Sequence, residues 1–301
     1  MRVLITGASG FLGQSLIKYL FGKNCEIFNL GSSEVKNSTH FLLKSPSDKK
    51  AINDAILEIK PDCVFHLAGL AIRDSDILSS FTVNTFFCDY LLQAIDSASL
   101  GYHTKIIIVG SAAEYGRIDS SQLPISESLA PNPPTVYGIS KLAQTHTALA
   151  WQREGKALVI VRPFNIIGAN MPDHLAIGSF VKQIKSMSAN GVMRTGTLDS
   201  SRDFISVSDV VHLMWELIHI KKAYGETVNL CTGKATPIKD VLNYLIRLSG
   251  KKIQLISEKD RSIRGDTKIH YGDNKKLLEL IGNYEFIPWK VTLSSVMNKN
   301  N

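Results

Sequence analysis

The first thirteen residues constrain this chain more than any other stretch. Val3, Leu4, Ile5 and Thr6 form a short, mostly apolar run of the kind seen in a strand buried on both faces, and it passes straight into Gly7, Gly10 and Gly13. Leu12, Leu16, Ile17 and Leu20 then recur at helical spacing. The order is strand, tight turn, helix. Glycines at such a turn leave the backbone bare enough to approach a pyrophosphate, and the free N–H groups at a helix start suit its negative charge. The spacing G-x-x-G-x-x-G departs from the plain G-x-G-x-x-G dinucleotide fingerprint, so a glycine turn made for packing alone is the competing reading here.

The same alternation runs through the first half of the chain. Apolar runs predict strands over 26–30, 63–68, 105–110 and 157–162, and helical patterns predict helices over 10–21, 48–59, 81–97 and 137–153. Asp48 is placed to cap the second helix and Pro61 to close it. Strand–helix alternation with short connections implies a doubly wound, Rossmann-like α/β fold, a parallel sheet covered on both faces. Pro124, Pro131, Pro133 and Pro134 make 123–135 a loop. Beyond Pro163 the alternation fails. A helix over 177–189, a return strand over 226–230 and a helix over 238–248 suggest a smaller, interwoven lobe. The expected division is a dinucleotide-binding domain over 1–165, with return segments near 203–232, and a mainly substrate-binding lobe over 166–301.

Composition narrows the class. With 301 residues, 44% hydrophobic and 20% charged, the chain reads as an ordinary soluble globular protein, and no apolar run reaches the roughly 18 residues of a membrane span. A cytoplasmic protein is expected. Cys25, Cys63, Cys88 and Cys231 lie far apart with no C-x-x-C pair or zinc spacing, which predicts reduced thiols and no metal site. The net charge of +7 is spread over scattered basic pairs, whereas nucleic-acid binding favours a concentrated stripe. An anionic small substrate fits that charge equally well.

The chemistry gathers around three residues. The strand expected over 105–110 ends in Ser111, at the carboxyl edge where open α/β sheets place ligands. Tyr137 opens a helix and Lys141 follows one turn later on the same face. An ammonium beside a phenol favours the phenolate, and a serine hydroxyl can hold a substrate oxygen against it. This set suits reversible alcohol–ketone chemistry with hydride exchange at a nicotinamide. Two further Y-x-x-x-K matches occur. Tyr19/Lys23 lies in the helix after the glycine turn, where Tyr19 is expected to pack, and Tyr271/Lys275 is interrupted by Gly272 and Asp273.

These blocks together resemble the extended short-chain dehydrogenase/reductase family of sugar-nucleotide epimerases, dehydratases and reductases. The likeness runs through Thr6–Gly13, Pro61–Gly69, Asn84, Gly110–Gly116, Tyr137–Lys141, Arg162–Gly168 and Arg202–Val211, and so spans nearly the whole chain. It implies that Gly7, Gly10 and Gly13 carry the pyrophosphate, that Ala68 and Gly69 line the ribose, and that Tyr137 and Lys141 also hold the nicotinamide ribose. It sets Phe11, Leu12, Ser32 and Pro163 against the cofactor, and Asn165 against the substrate's diphosphate. Asn84 corresponds to a helix asparagine near the relay, with a purely structural role as the alternative. A homodimer through the helices over 81–97 and 137–153 is implied by the same analogy.

Departures from the family pattern are informative. Related 4,6-dehydratases carry Thr-Asp-Glu where this chain has Ser111-Ala112-Ala113, and alanines exchange no protons. Glu114, one place on, is expected to be solvated or to cap a turn. Within the family the resemblance runs toward reductases of the GDP-4-keto-6-deoxy-mannose type, on Gly110–Gly116, Gly196–Phe204 and Arg261–Asp273. Arg202 and Arg264 are then the candidates for the nucleotide's phosphates, guanidinium groups giving bidentate contact. Leu30-Gly31-Ser32-Ser33 carries no carboxylate at the end of the second strand, which favours NADP over NAD, with Lys36 nearby. The aspartate that relatives keep near the adenine is replaced by Ser45. His174, nine residues after Asn165, is either a second acid or an exposed loop residue. The expected activity is NAD(P)H-dependent reduction of a nucleotide-linked 4-keto-6-deoxy sugar. A 4-epimerase that recycles bound NAD is the alternative, and a catalytically idle nucleotide sensor the third.

Overall fold

A computed structural model describes residues 1–71, 76–257 and 268–298. Its centre is a seven-stranded parallel sheet built from β1 (Arg2–Thr6), β2 (Glu26–Gly31), β3 (Thr39–Leu42), β4 (Cys63–His66), β5 (Lys105–Val109), β6 (Leu158–Pro163) and, after four short strands elsewhere, β11 (Thr227–Leu230). The order across the sheet is β3-β2-β1-β4-β5-β6-β11, so the chain winds outward from β1 in both directions. Every pairing is parallel. The fold is the doubly wound, Rossmann-like α/β architecture.

Strand pleat divides the core into two. Val3 and Ile5 of β1, with Ile107 and Val109 of β5, pack with α1 (Phe11–Leu20) and later with α7 (Val207–Leu217). Leu4, Ile106 and Ile108 face the other way, onto α2 (Lys49–Ile59), α4 (Phe87–Ser97) and α5 (Val136–Gln152). Asp48 Oδ1 accepts from the Ala51 N–H at 3.0 Å and starts α2. The helix expected over 81–97 begins earlier and is not uniform. Asp76 caps α3 (Ile77–Phe81), a π turn spans Thr82–Phe86, and α4 continues from it. The wide turn points Asn84 inward, where its amide reaches Leu70 and Ser140.

The second lobe is stitched from short pieces. β7 (Asn165–Ile167) pairs with β10 (Phe204–Ser206), and β8 (Asn190–Thr195) pairs with β13 (Lys252–Ser257). β12 (Thr236–Pro237), β9 (Ser201–Arg202) and β14 (Ile269–His270) form a third small sheet. α6 (Ala176–Ser186), α8 (Ile238–Ser249) and α10 (Trp289–Asn298) close around Phe180, Ile184, Met193, Leu242 and Leu293. α6 stops three residues short of the expected end because β8 starts at Asn190. α7 and α9 (Lys275–Ile281) return to the central core through Met214 and Leu277. No helix among the described residues is long and apolar enough to cross a membrane, and the four cysteines are free.

Candidate active site

The glycine turn sits at the carboxyl ends of β1 and β4. Gly7 has φ +70°, and a Cβ there would stand 2.6 Å from the Ala68 nitrogen, so both torsion and space demand glycine. A Cβ at Gly13 would meet the Gly7 carbonyl oxygen at 2.3 Å. Gly10 differs, since a Cβ there would meet only the Gly7 oxygen at 3.3 Å. Gly10 is the N-cap of α1, which has no side-chain cap and no acidic residue in its first turn. The uncovered face of Gly10 and an anion-free helix start are the cradle a pyrophosphate needs. Phe11 reaches toward the second lobe, its ring 3.4 Å from where a Gly168 Cβ would be, while Leu12 packs on the first core.

Next to this cradle, Thr6 Oγ1 meets His66 Nδ1 at 2.8 Å and accepts from the Ala68 N–H at 3.3 Å, tying the ends of β1 and β4. His66 is fully buried, and burial pulls its pKa down to about 3. Gly69 has no side chain because Lys141 Nζ occupies the space, 3.1 Å from an added Cβ. Ser32 is exposed just past β2, in a loop held by the Asn29 Nδ2 donation to the Ser33 carbonyl at 2.8 Å.

Ser111 follows β5 and opens the turn Ala112–Glu114. Its Oγ accepts from the Ala113 N–H at 3.1 Å, and its own N–H donates to Glu114 Oε1 at 2.8 Å. Tyr137, half-buried, lies in the first turn of α5, which Thr135 caps, and its phenol is near enough to the Ser111 side chain to feel it electrostatically. The tyrosine and serine are thus brought together. Burial raises the Tyr137 pKa, the neighbouring Ser111 side chain pulls it back, and Glu114 adds to the rise. The expected lowering by Lys141 is therefore corrected: desolvation outweighs any help to the phenolate. Lys141, 3% exposed, donates to the Val109 carbonyl at 2.8 Å and to Gln144 Oε1 at 2.9 Å. Burial draws the lysine down to about 8, against an upward pull from Glu114 and then Cys88.

Glu114 is not solvated. It is 0% exposed, and besides capping the turn it accepts from Thr145 Oγ1 at 2.9 Å and from Arg162 through Nε and Nη2, each at 2.8 Å. Arg162 lies over the Tyr115 ring, whose hydroxyl donates to Asn229 Oδ1. Sequence reasoning missed this buried pair. The available signal was an arginine inside the apolar run 158–163, a cation that burial obliges to find a carboxylate. Asn84 spends its amide on the Leu70 backbone and on Ser140 Oγ, fixing the loop that carries Gly69.

On the second-lobe side, Pro163 ends β6 and is buried, and Asn165 Nδ2 donates to the Asp203 carbonyl at 3.0 Å. Asp203 was also missed: its carboxylate accepts from Thr232 N–H and Oγ1 and from Gly233 N–H, fixing the loop after β11. Arg202 is half-buried on β9, donates to the Ser201 carbonyl, and helps hold the pKa of the half-buried His270 near 4, where desolvation is the larger cause. A groove of about 820 Å³ runs along this small sheet past Lys234, Thr236, Ile269 and Tyr271. His174 is exposed. Arg264 lies outside the described residues. Tyr19 packs as expected, its hydroxyl on His212 and Lys23 over its ring. Among the described residues no group of three His, Cys, Asp or Glu side chains is placed to hold a metal ion.

A GDP-6-deoxy-D-talose 4-dehydrogenase from Aggregatibacter actinomycetemcomitans is 31% identical, over 100% of this chain and 98% of its own. A GDP-6-deoxy-D-mannose reductase from Pseudomonas aeruginosa is 28% identical, over 99% and 96%. The structure of RMD from Pseudomonas aeruginosa complexed with NADPH superposes with a TM-score of 0.86 at 26% identity, over 98% and 97% of the two chains. Residues 3–231 match the NAD dependent epimerase/dehydratase family. The chain belongs to that family of enzymes.

Proposed function

We propose that this enzyme is an NAD(P)H-dependent reductase of a nucleotide-linked 4-keto-6-deoxy sugar. The observation that carries the reading is the nearness of the Tyr137 phenol to the Ser111 side chain, beside alanines at 112 and 113. When bound, the nicotinamide supplies the hydride for the sugar carbonyl carbon. Ser111 holds the carbonyl oxygen and Tyr137 delivers its proton there as the alcohol forms. A phenol whose pKa burial has raised is protonated at neutral pH, which suits an acid and so the reducing direction. Ala112 and Ala113 offer no carboxylates for dehydration.

Gly7, Gly10, Phe11, Leu12 and Gly13 hold the dinucleotide's pyrophosphate end. Ser32, Ala68, Gly69, Pro163, Tyr137 and Lys141 hold its riboses and nicotinamide. NADP is the favoured form, because Ser32 and Ser33 follow β2 where a carboxylate would oppose a 2′-phosphate, and Lys36 is exposed close by in sequence. Asn165, Arg202 and Arg264 take the substrate's diphosphate. Residues 1–165 with 203–232 form the cofactor domain, and most of 166–301 the sugar-nucleotide lobe. Ile77, Leu78, Phe86 and Ile139 leave an exposed apolar face on α3, the π turn and α5, and a second copy covers it in a homodimer.

The purified protein mixed with NADPH and GDP-4-keto-6-deoxymannose is expected to lose the reduced-nicotinamide absorbance. Tyr137→Phe should slow that loss by about two to four decades. No loss, with NAD released on denaturation, would replace the reading with a 4-epimerase; equal turnover in the variant would remove Tyr137 as the acid.

A further inference from the structure

The floor beneath Tyr137 and Ser111 is polar yet sealed. Lys141 Nζ has three protons, one on the Val109 carbonyl and one on Gln144 Oε1. Nζ lies against Gly69, where an added Cβ would stand 3.1 Å from it. Gln144 lies one turn along α5 and is fully buried. Its amide nitrogen has no oxygen or nitrogen partner and faces only the sulfur of Cys88, also fully buried. A buried amide with unspent donors is a costly choice where an apolar side chain of the same shape would serve. The bond it accepts from Lys141 is the return on that cost.

We infer that Gln144 is a positioning residue for Lys141, holding the ammonium by one proton so that another stays directed at the Gly69 edge. This rests on the proposed function, in which that edge receives the nicotinamide ribose. Gln144 also favours the charged amine, since its carbonyl oxygen accepts from an ammonium more strongly than from a neutral amine. The other titratable groups around Lys141 are Glu114 in the turn after β5, Cys88 on α4, His66 on β4 and Tyr137 on its own helix. Arg162 on β6 is taken up by Glu114. Burial has already brought the lysine to about 8, so losing one charge-stabilising acceptor carries it into the neutral range.

The direct test is a ¹³Cε NMR titration of lysine-labelled, ligand-free protein, with the Lys141 resonance assigned by its loss in Lys141→Met. Gln144→Met, similar in length and without an amide, should lower the Lys141 midpoint by about one to two pH units. Gln144→Glu, which keeps the shape and adds a carboxylate, should raise it above wild type. The alkaline limit of NADPH binding, read by nicotinamide fluorescence, should move with each. An unchanged midpoint in both variants, or the same direction in both, would overturn the inference. If Gln144→Met does not fold, the upward shift in Gln144→Glu decides alone. Opposed shifts in the two variants, together with a wild type that binds neither NADPH nor NADH, would sink the functional reading while leaving Gln144's hold on Lys141 standing. NADPH binding without the shifts would do the reverse.

Discussion

A methyl group added at Gly13 would stand 2.3 Å from the Gly7 oxygen and 2.6 Å from Ala8 Cα, both backbone atoms of the same turn. Neither can move without reshaping the loop. Gly13→Ala should therefore destabilise the fold by about 1–3 kcal/mol, as overpacking does, and weaken NADPH binding with it. Gly10 separates the two effects. Its φ of −75° suits alanine, and its added Cβ meets a single atom at 3.3 Å. Gly10→Ala should keep the urea midpoint close to wild type while NADPH affinity falls, because the methyl projects into the face the pyrophosphate needs. Equal losses of stability in the two variants would show that both glycines are there for packing. At this scale the sequence was readable where a residue's chemistry is local. Ser111 after a strand and Tyr137 with Lys141 one turn on needed only the periodicity of their elements. Glu114, Gln144 and Asp203 did not yield, because what each accepts from lies 31 residues away (Thr145), 3 residues away but buried (Lys141) or 29 residues away (Thr232).

Among elements, the turn Ala112–Glu114, strand β6 and helix α5 meet at one buried carboxylate. Glu114 takes Ser111 N–H, Thr145 hydroxyl and the Arg162 guanidinium, so it fixes the serine, the helix and the strand together. Glu114→Ala leaves Arg162 charged and unpaired in the interior and should cost about 3–5 kcal/mol, read as a fall in the urea midpoint. The double change Glu114→Leu with Arg162→Met should recover much of that, since it removes both charges. If the double variant is as unstable as the single, the carboxylate's worth lies in capping the turn and not in answering the arginine. The central strands were legible because a parallel strand buried on both faces is a continuous apolar run. β3 was not, for its Thr39–Leu42 is a half-exposed edge with no such run. The π turn at Thr82–Phe86 leaves no mark on a helical pattern, and the two- and three-residue strands of the second lobe are shorter than any periodicity.

Across the whole molecule, two histidines, one fully buried and one half-buried, set how the fold meets acid. His66 lies in the central sheet and His270 in the second lobe, and burial holds them near 3 and 4, with Lys141 and Arg202 adding to the respective falls. Their ordinary value is 6.5. Between pH 6.5 and those folded values the unfolded chain binds protons that the folded chain refuses, so stability falls as pH falls through that window. Asp203 and Asp209 work in the opposite direction, since burial raises both and the folded state takes up their protons first. A melting curve of the wild type alone mixes these signs. The difference between wild type and His66→Asn isolates one of them. At pH 7 the variant should be the less stable, having lost the Thr6 contact and the packing on Phe87. At pH 5 that gap should narrow by about 2 kcal/mol, the linkage value of a group still neutral 1.5 units below its unfolded pKa. A gap that stays constant from pH 7 to pH 5 would mean that His66 takes up its proton without unfolding, and that its buried, uncharged state does not limit the fold in acid.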